Sequence, residues 1–209
     1  MNSASAFRWL HPLKDGNGIA CWEVYDPESK VDLHATALCM DGNLYFVDPV
    51  PLAGGALETL CEAGAPTGVI LTNGNHQRAT TEYVEAFSIP VMAHVGAAPE
   101  LTVPVDYLFG DGAMLMGELA VIALPGGAPG ESTFYWEDLG GVLIVGDALI
   151  NLSQTGLIPL PEKYCEDAAQ LRQSLARLLP FRVETALFAH GFPLGPNAGA
   201  VLQPLLRAE

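Results

Sequence analysis

Positive charge is scarce in this chain: nine Lys and Arg stand against 24 Asp and Glu among 209 residues, a formal net charge of −15. Phosphate backbones are bound through clustered Lys and Arg, so this balance excludes nucleic acid as a partner. The same charge is repelled by an anionic membrane surface. Long apolar runs are also missing, and none reaches the length that spans a bilayer. Residues 1–10 lack the apolar core of a secretory signal and are interrupted by Arg8. Cysteine is sparse and scattered. Cys21, Cys39, Cys61 and Cys165 form no CxxC pair and read as buried free thiols of a reducing compartment. These absences lead to the expectation of a cytoplasmic protein whose partner is a small-molecule ligand or substrate, or another protein.

Half of the residues are hydrophobic and only 16% are charged, enough for a well-covered core. The length suits a single domain over residues 1–209, or two tightly fused halves. The apolar content is also compatible with a homo-oligomer.

The first quarter reads as antiparallel strands. Residues 7–13 and 18–25 flank the turn Asp15-Gly16-Asn17-Gly18, and residues 35–40 and 43–47 flank Asp41-Gly42, a strong hairpin signal. Helix and strand then alternate: helix over 56–63, strand over 69–71, helix over 79–87, strand over 89–93. Strands return over 119–124, 132–136 and 142–145, with Gly140-Gly141 turning the last pair. Residues 152–161 read as an irregular connection, a candidate cover for a pocket that begins at Asn151. Residues 162–179 read as the clearest helix, with Tyr164, Ala168, Leu171, Leu175 and Leu178 on one face. A strand over 185–189 and a short helix over 198–206, blemished by Pro204, complete the chain. Strand-rich stretches around strand–helix passages predict an α/β fold of four layers, an αββα sandwich.

Polar groups gather where apolar strands stop, the usual address of ligands in covered sheets. After Val69-Ile70-Leu71 come Thr72, Asn73, Gly74, Asn75, His76, Gln77 and Arg78; Gly146-Asp147 follows one later strand and His190-Gly191 another. Each has a bland reading: Asn73 and Gly74 as turn formers, Asn75 as a helix cap, Asp147 as a turn cap, a strand-end His as a hydrogen-bonded structural group. Arg78 is the odd member, because a cation in the first turn of a helix opposes the macrodipole. The Gly-rich loop 125–130 fits neither GxGxxG nor GK[ST], and no GxSxG nucleophile motif accompanies the histidines.

The order of these strand ends resembles the metallo-β-lactamase superfamily, whose fold is the αββα sandwich. Val47-Asp48-Pro49 resembles its early strand-end Asp. Ile70-Leu71-Thr72 resembles the strand before its His-X-His-X-Asp-His motif, and Leu124-Pro125-Gly126-Gly127-Ala128-Pro129-Gly130 resembles its Pro-Gly-His-Thr-Pro-Gly loop. Val145-Gly146-Asp147 resembles the strand that delivers a metal-bridging Asp, and His190-Gly191 its C-terminal His-Gly. The resemblance implies one or two metal ions, usually zinc, and hydrolysis of esters, thioesters, lactams or phosphodiesters by metal-bound hydroxide.

The departures matter equally. Asn73 and Asn75 stand at the first two His ligands, Gln77 and Arg78 at the Asp and His that follow, and Gly127 at the His of the next loop. Asp147 and His190 alone survive. Amide side chains are poor zinc ligands and Arg stays protonated, so no cofactor is expected. The sequence therefore points to a metal-free binding or regulatory protein, or pseudo-hydrolase, with Arg78 pairing Asp147 in the old metal space. Its candidate pocket residues are His76, Arg78, Asp147 and His190, with Asn73, Asn75 and Gln77. The alternative is a hydrolase with one divalent metal such as zinc, rebuilt on His76, Asp147 and His190. A metal-free hydrolase using His76 or His190 as general base ranks last. His11, His34 and His94 are read as structural.

Overall fold

A computed structural model describes residues 6–207. They divide into two compact units: the first holds the chain up to Leu71, His76–Met92 and Thr102–Tyr107, the second Thr72–Asn75, Ala93–Leu101 and the chain from Leu108 onward.

The chain opens with β1 (Arg8–Lys14), β2 (Asn17–Asp26), β3 (Val31–Met40) and β4 (Asn43–Val47), paired antiparallel in order. Asp41 and Gly42, both left-handed, close the β3–β4 hairpin in the manner that matches strand twist. Helix α1 (Gly54–Cys61) then carries the chain across to β5 (Ala65–Leu71), which pairs parallel with β4. Helix α2 (Thr80–Phe87) sets Tyr83 and Phe87, four residues apart, against Phe46 of β4, with ring centroids 4.7 and 6.0 Å away. Strands β6 (Val91–His94) and β7 (Tyr107–Phe109) complete a seven-stranded sheet in strict chain order.

The second sheet comprises β8 (Met114–Leu115), β9 (Leu119–Ala123), β10 (Ser132–Trp136), β11 (Val142–Val145) and, from the end of the chain, Thr185–Phe188, in the order last-11-10-9-8. Between them lie the hairpin β12 (Leu149–Leu152) and β13 (Gly156–Pro159) and helix α3 (Ala168–Leu175). The last strand is β14, and α4 (Ala198–Leu206) follows it with Pro204 accommodated inside. The core of this unit joins Leu143 and Val145 of β11, Leu171 and Leu175 of α3, Phe188 of β14 and Leu202 of α4.

Three expectations change. The stretch read as an irregular connection is the β12–β13 hairpin; Pro159 is tolerated because it closes a strand of a two-stranded ribbon. The long helix over 162–179 is broken: a single turn at Glu162–Tyr164 is followed by extended Cys165. Backbone bonds from Glu166 to Gly127 and from Asp167 to Gly126 draw the chain off the helical path. Asp167 then starts α3 by accepting from the backbone N–H groups of Ala169 and Gln170. Tyr164, expected on the buried face, is 62% exposed. Finally, α2 begins at Thr80, and Arg78 precedes it with a left-handed backbone (φ 43°). It lies outside the first turn, so the dipole argument about its charge does not apply.

Among the described residues no helix is long and apolar enough to cross a membrane. All four cysteines are free thiols. Burial, with a smaller contribution from Cys61, pushes the Cys39 thiol up to about 11.

Leu171→Ala should cost about 2–5 kcal/mol in urea unfolding, whereas Asp167→Ala, which removes only the cap, should cost about 1 kcal/mol. At roughly pH 8 a thiol reagent should leave Cys39 unmodified in the folded protein and label all four cysteines in denaturant. Labelling of Cys39 at the unfolded rate would contradict the buried placement.

Candidate functional site

In the second unit, strand pairing brings three polar groups to one end of the sheet. β11 and β14 run parallel with Val145 beside Phe188, so Asp147 and His190 leave their strands on the same side. The N–H of Ala189 donates to the Val145 carbonyl and keeps the two exits together. β10 runs antiparallel to β11 with Thr133 opposite Val145. Two residues before Thr133 lies Glu131, which this register sets across from Asp147.

The segment Thr72–Asn75 joins them. Ser132 N–H donates to the Thr72 carbonyl at 2.8 Å and Gly74 N–H to the Pro129 carbonyl at 2.9 Å. Asn73 is thereby placed between two carboxylates. Its Nδ2 donates to Glu131 Oε2 at 2.9 Å and to Asp147 Oδ2 at 3.2 Å. Its Oδ1 accepts the N–H of Asn75 at 2.9 Å, an Asx turn that fixes which way the amide faces. Glu131 Oε1 accepts the N–H of Ala148 at 2.9 Å, and Asp147 Oδ1 lies 3.2 Å from His190 Nε2. Asn73 is 0%, Glu131 2% and Asp147 8% exposed, so the amide works where an unpartnered carboxylate would be costly. The Asn75 side chain is exposed.

The other sequence candidates belong to the first unit. His76 Nδ1 lies 2.8 Å from Asp48 Oδ2, both side chains almost fully buried. Asp48 itself has φ 48°, a left-handed residue at the end of β4. Arg78 Nη1 donates to the carbonyls of His34 at 2.6 Å and Asp48 at 3.3 Å. Gln77 spans to the Thr102 segment: its Nε2 donates to Thr102 Oγ1, and its Oε1 accepts from the N–H groups of Thr102 and Val103. His34 is buried with Nδ1 3.4 Å from Glu23 Oε2. In the second unit, His94 Nδ1 accepts the Gly96 N–H, and burial holds this imidazole below its usual range.

Glu131 was not among the candidate residues. It was legible in principle, because the hairpin of strands over 132–136 and 142–145, extended by one pleat, sets it opposite Asp147. Cys165 is the thiol whose titration Glu131 and Asp147 influence. Burial pushes it up most, Arg172 opposes, and Glu162, Glu131 and Asp147 add to the rise. A thiol held protonated in this way is not an activated nucleophile.

The family's first metal ion needs imidazole lone pairs at positions 73, 75 and 127. This chain offers Asn, Asn and Gly there, and Asn73 turns a donor, not a lone pair, toward the carboxylates. The residues present do not fit that ion.

A sequence profile described as the metallo-β-lactamase superfamily matches residues 13–208. Solved structures agree in fold. The crystal structure of the DIM-1 metallo-β-lactamase superposes with a TM-score of 0.74 at 18% identity, covering 98% of this chain and 97% of that one. A metallo-β-lactamase from Pontibacter korlensis gives 0.70 at 15% identity, covering 97% and 100%. TMB-1 gives 0.70 at 14% identity, covering 97% of each. No curated protein sequence matches the chain at a significant level. The architecture is the α/β sandwich of these enzymes, and with nearly its whole length matched the chain belongs to the metallo-β-lactamase superfamily.

Proposed function

We propose that this protein is a metal-free member of its superfamily, a binding or regulatory protein or pseudo-hydrolase that takes a small molecule. The observation that carries this reading is the Asn73 amide, whose nitrogen serves Glu131 and Asp147 together. In a hydrolytic centre the cation draws carboxylates inward and lowers the pKa of bound water toward 7. Here a neutral amide takes over the first task and has no means to perform the second. Arg78 supplies positive charge to the loop that follows β5, which suits a ligand bearing a carboxylate or polarised carbonyl. The net charge of −15 keeps nucleic acid outside this reading, and a cytoplasmic location belongs to it.

A second reading is a hydrolase with one divalent ion, such as zinc, on His76, Asp147 and His190. Its donor set favours it: two imidazoles and a carboxylate are a group of the kind that can hold an ion. The Asp48 carboxylate on His76 Nδ1 is also the sort of outer partner that fixes a ligating imidazole.

Elemental analysis separates the two. Protein purified without added metal or chelator, then incubated with zinc, manganese or iron and desalted, should retain no stoichiometric metal. About one ion per chain, lost in His190→Ala, would establish the second reading and direct work to ester and thioester substrates. In urea unfolding, Asn73→Ala should destabilise the protein by roughly 1.5–3 kcal/mol, the scale of hydrogen bonds to charged groups. A neutral effect would show that the amide does not hold the carboxylates.

A further inference from the structure

Gly127 stands where the family places a His ligand, and the space a side chain would need there is already filled. A Cβ on Gly127 would lie 2.9 Å from Glu131 Cγ, 3.3 Å from its Cβ and 3.4 Å from its Cδ. These are inner atoms of the side chain, not a free end that could turn aside. Both carboxylate oxygens are committed as well, Oε1 to the Ala148 N–H and Oε2 to Asn73 Nδ2. Glu131 is too deeply buried to swing into water without giving up both bonds. The strand exit beside it is equally tight, since a Cβ on Gly146 would lie 2.7 Å from Glu131 Oε1.

We propose that Glu131 is the protein's own substitute for a metal ligand at position 127. Its stem occupies the volume of the missing side chain, and its carboxylate anchors Asn73, the residue at the first ligand position. Residues 73, 127 and 131 therefore form one coupled unit, and the loss of imidazoles is only half of the change. This inference rests on the metal-free reading and deepens it: the first half-site is closed by Glu131 as well as stripped of ligands. Restoring His at positions 73, 75 and 127 then fails to create a zinc site while Glu131 remains, because a side chain at 127 meets Glu131 first.

Two experiments test the coupling. The first is a double-mutant cycle on thermal unfolding with Gly127→Ala, Glu131→Ala and both together. Gly127 lies outside the left-handed region, so alanine suits its backbone and the cost is one of space. Gly127→Ala should lower the Tm by roughly 4 °C in the natural background and change it little when Glu131 is already alanine. Equal shifts in both backgrounds would overturn the proposal. The second is equilibrium dialysis against zinc, comparing Asn73→His/Asn75→His/Gly127→His with the same variant carrying Glu131→Ala. Zinc retained only by the latter is expected, and equal retention by both would overturn the proposal. If either variant fails to fold, the cycle decides alone. Stoichiometric zinc in the unaltered protein would overturn the metal-free reading by itself, whereas additivity in the cycle removes only the link between 127 and 131.

Discussion

The centre of the second unit depends on one amide between two carboxylates. Glu131 and Asp147 are both buried, and each accepts a hydrogen bond from the same Asn73 nitrogen. In a low-dielectric interior, carboxylates need donors or a cation to remain in place. Asn73 provides donors, and its orientation is fixed by the Asx turn to Asn75. The surrounding backbone supports that arrangement: the Thr72 carbonyl is tied to Ser132, Gly74 to Pro129, and Ala148 to Glu131. The segment Thr72–Asn75 is thereby built into the second unit.

Sheet geometry explains why these residues meet. Parallel pairing of β11 with β14 delivers Asp147 and His190 together, and antiparallel pairing of β10 with β11 delivers Glu131 opposite Asp147. None of this requires metal-ligating side chains. A fold shared with metal-dependent hydrolases can keep its strand ends and change the groups upon them, which is why fold alone does not assign chemistry here. Position 73 shows the difference most clearly, because an amide NH2 gives the carboxylate pair two donors and has no nitrogen lone pair for a metal, whereas a neutral imidazole has one donor and one lone pair.

Much of the architecture was legible in local patterns. β4, β10, β11 and α4 have the bounds their sequences suggest, because each is a short apolar run closed by turn residues or Pro. Where long-range bonds decide, the sequence was silent. The break at Cys165 follows from bonds to a loop some forty residues earlier, and the β12–β13 ribbon hides among Asn, Ser, Gln and Thr. Of the site, Asp147, His190 and Asn73 stood out as polar residues at strand ends, and the structure ties these three together through Asn73 and Asp147. Glu131 was missed because a motif comparison looks for what is absent at position 127, and its replacement lies four residues later in sequence. Gln77 illustrates the converse: it holds a ligand position of the motif, yet serves the backbone of Thr102 and Val103.

The most direct test is a crystal structure grown in millimolar zinc, with anomalous diffraction recorded at the zinc edge. The account predicts density for Asn73 Nδ2 between Glu131 and Asp147, with no anomalous peak within bonding distance of either carboxylate. A strong peak bound to Asp147, with the Asn73 amide displaced, would contradict it.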